Sequence, residues 1–152
     1  MKKLKLIHGK GEITRISQQV KDAFKIIDGH DIRTFKDSRL VKKIENLGFE
    51  WASSSGVAFI GRTQVIKCAL LTRRPPPISY RVPTLIYAYE EVRPTEWDWN
   101  YVVLIQPKTE LSFDFRCKQD NKRYESFSKL SSCDAHSGNV GKYKGKLCLF
   151  DW

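Results

Sequence analysis

The sequence predicts an α+β fold, and two observations carry that expectation. Up to Gly48 apolar residues recur at helical spacing. From Phe49 onward they fall into short alternating or continuous runs broken by Ser, Gly and Pro, the texture of a sheet. A chain of 152 residues fits one domain with a real core, and 41% hydrophobic against 29% charged residues is an ordinary globular balance.

The elements follow in order. Ile13, Ile16, Val20, Phe24 and Ile27 share one face of a first helix, which Asp28-Gly29 stops. A second, shorter helix starts near Ser38, with Asp37 or Ser38 as cap, Leu40, Val41, Ile44 and Leu47 inward, and Gly48 at its end. Strands are predicted at Phe49–Trp51, Val57–Ile60 and Gln64–Leu71. Arg73-Arg74-Pro75-Pro76-Pro77 cannot continue a ladder, because proline donates no backbone hydrogen bond, so it reads as an extended connector. Strands resume at Leu85–Tyr89 and Tyr101–Ile105 around a turn at Arg93–Glu96, and the set predicts an antiparallel meander. One helix around Tyr124, Phe127 and Leu130 and a last strand, Leu147–Phe150, complete the chain. The whole reads as a single domain, 1–152, with a helical part at 1–47, a sheet at 48–106 and a reduced region at 107–152.

Charge and cysteines narrow the function classes. A formal charge of +10 favours polyanionic partners, but the lysines and arginines are scattered and no run of like charges forms a basic tail, so nucleic acid is not the favoured partner. Trp97, Trp99, Tyr87, Tyr89 and Tyr101 lie near Glu90, Glu91, Glu96 and Asp98; they can stack bases or form a protein-binding patch, core and rim packing is the ordinary explanation, and the acidity argues against nucleic acid there. No apolar run approaches a membrane span and Met1–Ile7 is not a signal peptide, which predicts a cytoplasmic chain without a membrane partner. Cys68, Cys117, Cys133 and Cys148 form no dense framework, so the thiols are expected to be reduced. Zinc is not expected: Cys117, Cys133, His136 and Cys148 contain one Cys-x-x-His and no Cys-x-x-Cys, and Cys148 alternates with Leu147 and Leu149 as a buried strand residue does. A Cys133/His136 nucleophile pair lacks a third, orienting group.

Three segments could carry chemistry. Lys67 interrupts the apolar run Val65-Ile66-Lys67-Cys68-Ala69; it reaches nucleotide phosphates if the preceding hairpin folds over them, or its stem simply covers apolar surface. The turn Ser53-Ser54-Ser55-Gly56 offers backbone amides and hydroxyls that phosphates accept, with Ser54, Ser55 and Gly56 as the candidates; a Ser-rich hairpin turn explains it equally well. In Asp134-Ala135-His136-Ser137-Gly138-Asn139, Asp134 can orient and deprotonate a hydroxyl and Asn139 can hold a metal, though an Asx-type turn has the same composition. Asp151 ends an apolar strand, where packing has little use for a carboxylate and a metal has much.

Those residues resemble protein kinases. Val65-Ile66-Lys67 is similar to the kinase lysine strand, Asp134-x-His136-Ser137-Gly138-Asn139 to the catalytic loop, and Phe150-Asp151 to the metal-binding step. The likeness extends to the early-gene serine/threonine protein kinases of short-tailed lytic bacteriophages, which also have a proline step into the next strand, here Val82-Pro83-Thr84-Leu85-Ile86-Tyr87; it covers roughly residues 47–152. It implies a kinase small-lobe sheet with a minimal remnant of the catalytic lobe, in the cytoplasm of an infected bacterium. It further implies that Lys67 contacts ATP phosphates, Asp134 is the base, Asn139 and Asp151 bind Mg²⁺, and a host protein is the substrate. No helix carrying a Glu partner for Lys67 is predicted after its strand, and Glu45 of the second helix is the substitute the sequence offers. Two alternatives stand beside this one: a catalytically inactive kinase-like module that binds and inhibits a host protein, and a basic nucleic-acid-binding protein.

Overall fold

A computed structural model of the chain describes residues 4–30, 38–53, 56–71, 75–89, 100–110, 116–129 and 139–150. The fold is α+β, built on a six-stranded antiparallel sheet and a separate hairpin. Contacts divide the chain into two compact units, Met1–Thr72 with Thr84–Lys108, and Arg73–Pro83 with Thr109–Trp152.

The first unit contains β1 (Lys5–His8), α1 (Gln18–Ile27), α2 (Ser38–Glu45), β2 (Glu50–Ser53), β3 (Val57–Ile60), β4 (Gln64–Leu71), β5 (Leu85–Ala88) and β6 (Asn100–Pro107). Its strands lie in the order β1-β5-β6-β4-β3-β2. The predicted meander is therefore corrected, since β6 lies between β4 and β5. The reason is length: β4 and β6 pair along all of both strands, from Gln64 opposite Pro107 to Leu71 opposite Asn100, whereas β5 meets β6 only from Leu85 to Tyr87. The strand β1, which the sequence reading passed over, closes the edge by pairing Lys5 with Ala88 and Leu6 with Tyr87.

Strand alternation sorts the sheet into two faces. Val57, Phe59, Ile66, Cys68, Leu85, Val103 and Ile105 point to one side and pack with Val20, Ala23 and Ile27 of α1 and Ile44 of α2. The first helix is shorter than its apolar spacing predicts. Ser17 caps it, its Oγ accepting from the Val20 N–H at 3.2 Å, and Ile13 and Ile16 reach the core from the segment before the cap. Two buried glutamines stitch this helix to the sheet. Gln64 Oε1 accepts from the Ser17 N–H and its Nε2 donates to the Arg15 carbonyl, both at 2.9 Å. Gln19 does the same for the Arg62 N–H at 2.9 Å and the Leu47 carbonyl at 3.0 Å. Tyr87 packs edge-on to Phe24 with centroids 4.8 Å apart, and the Tyr89 hydroxyl donates to the Ile27 carbonyl at 2.9 Å. Those two aromatics are core residues; Trp97 and Trp99 lie outside the described residues.

The second unit contains α3 (Lys118–Ser128), β7 (Val140–Tyr143) and β8 (Lys146–Leu149). The helix matches the expectation around Tyr124 and Phe127. The hairpin partner β7 was not foreseen, because Gly141 and Lys142 dilute its apolar signal. Lys144 and Gly145 form a two-residue turn with φ of 51° and 76°, the pair of positive values that a type I′ hairpin requires. Phe127 packs on Val140, Leu147 and Leu149, with Tyr80 and Tyr124 at the margin. Burying a Phe or Leu this fully is worth about 1.5–3 kcal/mol each, so this small cluster holds the helix to the hairpin.

Candidate functional site

Lys67 lies on β4 between Ala58 of β3 and Leu104 of β6. It shares the sheet face that α1 and α2 do not cover, with its neighbours Ala69, Val102, Ile86, Leu104 and Gln106; all but Ala69 of these are buried. Lys67 itself is half-buried. Its position in the register explains its place in an apolar run: Ile66 and Cys68 fill the helix-covered core, and Lys67 alternates to the reverse side. The same geometry corrects the suggested Glu45 partner, since α2 packs on the Ile66 face and Glu45 is exposed there.

Gly56 opens β3. A Cβ at Gly56 would come 2.6 Å from the Cys68 carbonyl oxygen and 2.9 Å from the Ala69 Cβ, so the close approach of β3 to β4 accounts for this glycine on its own. Ser54 and Ser55, the other candidates for phosphate contact, lie outside the described residues. Cys68 is 3% exposed, and burial pushes its thiol up to about 12, which leaves it protonated and inert.

In the second unit, Asn139 immediately precedes β7 and Phe150 immediately follows β8. The hairpin register pairs Val140 with Leu149, and one step further out the Phe150 N–H donates to the Asn139 carbonyl at 3.1 Å. The backbone at Asn139 is thus tied to the residue directly before Asp151. Asp151 and Asp134 lie outside the described residues, as do Cys133 and His136 of the four residues weighed for zinc. Cys148 is 6% exposed, and Leu147 and Leu149 beside it are buried as well, so β8 is covered on both faces; burial raises the Cys148 thiol pKa, and Arg123 partly offsets that.

Each strand of the hairpin has a further neighbour. On the β8 side the Val82 N–H donates to the Leu149 carbonyl at 2.9 Å and the Leu149 N–H to the Tyr80 carbonyl at 2.8 Å. On the β7 side Lys142 and Glu110 exchange backbone bonds of 2.8 and 3.1 Å. Two residues of α3 that sequence reasoning missed hold this arrangement. Asp120, with its side chain 5% exposed, lies 3.1 Å from Lys142 Nζ. Arg123 donates to the Leu147 carbonyl at 2.8 Å and the Ser79 carbonyl at 2.9 Å, with its guanidinium over Tyr80 and Phe127. The signal was their spacing: Asp120, Arg123 and Phe127 recur on one helix face, and two charges on an inward face call for partners.

Among the described residues no group of His, Cys, Asp and Glu side chains forms a metal-holding cluster, and no helix is long and apolar enough to cross a membrane. Comparison with protein-family models, with curated proteins and with solved structures produced no match.

Proposed function

We propose that the protein is a reduced kinase-like phosphotransferase that moves the γ-phosphate of ATP to hydroxyls of a host protein. The observation that carries this reading is the bond between Phe150 and Asn139 across the open end of the β7–β8 hairpin. Asn139, whose side chain carries an amide oxygen donor, stands at one strand end, and in sequence the carboxylate-bearing Asp151 follows Phe150 at the other. Hard oxygen donors of this kind suit Mg²⁺. In chain order α3, Asp134, Asn139, the β7–β8 hairpin and Asp151 also follow the order of a kinase's catalytic loop and metal-binding step. In the first unit, Lys67 stands on the third strand after α2, next to a hairpin strand on one side and a long strand on the other, which parallels the kinase lysine strand.

In this reading Lys67 contacts the ATP phosphates, and Asn139 with Asp151 holds Mg²⁺. When bound, the ion offsets charge on the phosphate oxygens. The acceptor hydroxyl oxygen attacks the γ-phosphorus, the bond to the ADP oxygen breaks, and Asp134 takes the hydroxyl proton. The N-terminal helices cover the sheet face opposite Lys67, and residues 75–84 carry turns and a bridge in place of a helix. That departure favours a second reading, an inactive kinase-like module that binds a host protein. Nucleic-acid binding is less favoured, because Arg81, Arg123 and Lys142 are engaged internally, Arg81 through the Pro76 carbonyl at 2.8 Å.

Calorimetric titration with ATP and Mg²⁺ tests the proposal. The phosphotransferase reading expects saturable binding that Lys67→Met weakens by about tenfold, as loss of a charged hydrogen bond implies. Absence of binding by the wild type favours the inactive module.

A further inference from the structure

We infer that Asp120 and Arg123 of α3 are positioning residues for the metal-binding end of the hairpin, an inference that rests on the phosphotransferase reading. The two side chains are one helical turn apart and grip different strands. Asp120 holds β7 through the Lys142 ammonium at 3.1 Å, and Arg123 holds β8 through the Leu147 carbonyl at 2.8 Å. Lys142 and Leu147 face each other in the ladder, so the two contacts clamp one cross-strand pair, from which the register runs out to the open end where Asn139 and Phe150 meet.

Packing alone does not require this pair of charges. Phe127 already fastens the helix to Val140, Leu147 and Leu149, and a buried carboxylate costs stability unless it is paired. Asp120 is 4% exposed, and its partner Lys142 also exchanges two backbone bonds with Glu110. Lys142 therefore joins α3, β7 and the 110 segment within three residues of Asn139. The Arg123 hydrogen bonds set the position of β8 more tightly than apolar contact does, whereas Asp120 holds Lys142 by charge, its buried Oδ2 making no hydrogen bond; oxygen-donor metal sites are sensitive to such support.

The test is a Mn²⁺ titration of the full chain with ATP present, read by paramagnetic broadening of the Asn139 and Phe150 amide signals. Asp120→Asn is expected to keep the dispersed spectrum and to weaken Mn²⁺ by about tenfold. Arg123→Gln is expected to do likewise, and Arg123→Lys to recover part of the loss. If Asp120→Asn unfolds the protein, Asp120→Asn with Lys142→Gln removes both charges, leaves no buried ion unpaired, and is read in the same way. A folded variant that binds Mn²⁺ as the wild type does overturns the positioning role alone. A wild type whose two signals never broaden overturns the phosphotransferase reading, and the positioning role with it.

Discussion

The Phe150 N–H donates to the Asn139 carbonyl at 3.1 Å, one step beyond the last ladder pair of the β7–β8 hairpin. This bond makes the far turn of the hairpin matter to the candidate site, because a hairpin's register is set by its turn. Gly145 has φ 76° and open space where a Cβ would stand, so a side chain there meets only backbone strain. Gly145→Val should lower stability by about 1–2 kcal/mol, measured by urea unfolding. Lys144→Asn, at φ 51°, should be neutral or stabilising, since asparagine tolerates that conformation better.

The Gln64 side chain satisfies two backbone groups at the start of α1. Gln64→Leu keeps the bulk and strands the Ser17 N–H and the Arg15 carbonyl. Both bonds are part-buried and water can replace some of what is lost, so about 1 kcal/mol of stability should be lost in all. Amide exchange at Ser17 should accelerate in step.

Sequence alone showed the helices, most strands of the sheet and the place of Lys67, because each rests on local periodicity or a Gly or Pro stop. It did not show that β6 separates β4 from β5; the choice between partners depends on ladder length across distant residues. Ile13 and Ile16 mimicked a longer helix because a segment running into a capped helix can bury the same face. In the candidate site, Asn139 and Asp151 stood out by residue type, whereas the bond joining Phe150 to Asn139 depends on β7, whose glycine and lysines hid it. Asp120 and Arg123 were passed over although they share a helix face with Phe127, because a polar residue on an inward face is explained only once its partner is known.

Burial raises the Cys68 thiol from its ordinary 9.0 to about 12. The folded chain therefore keeps a proton that the unfolded chain releases, and stability should fall as pH rises through that interval. Tyr87, Tyr89 and Cys148 are also raised by burial and act with the same sign. Unfolding midpoints measured from pH 8 to pH 12 should decline above about 9, with a shallower slope in Cys68→Ala. A midpoint that rises across this range would contradict the assignment.

The most direct test of the central claim is transfer of labelled γ-phosphate from ATP by the purified protein, with Mg²⁺ and a bacterial lysate as acceptor. The phosphotransferase reading predicts label on protein hydroxyls, and a fall of about a hundredfold or more in Asp134→Ala while that variant remains folded. No transfer by the folded wild type, or equal transfer by Asp134→Ala, would contradict it.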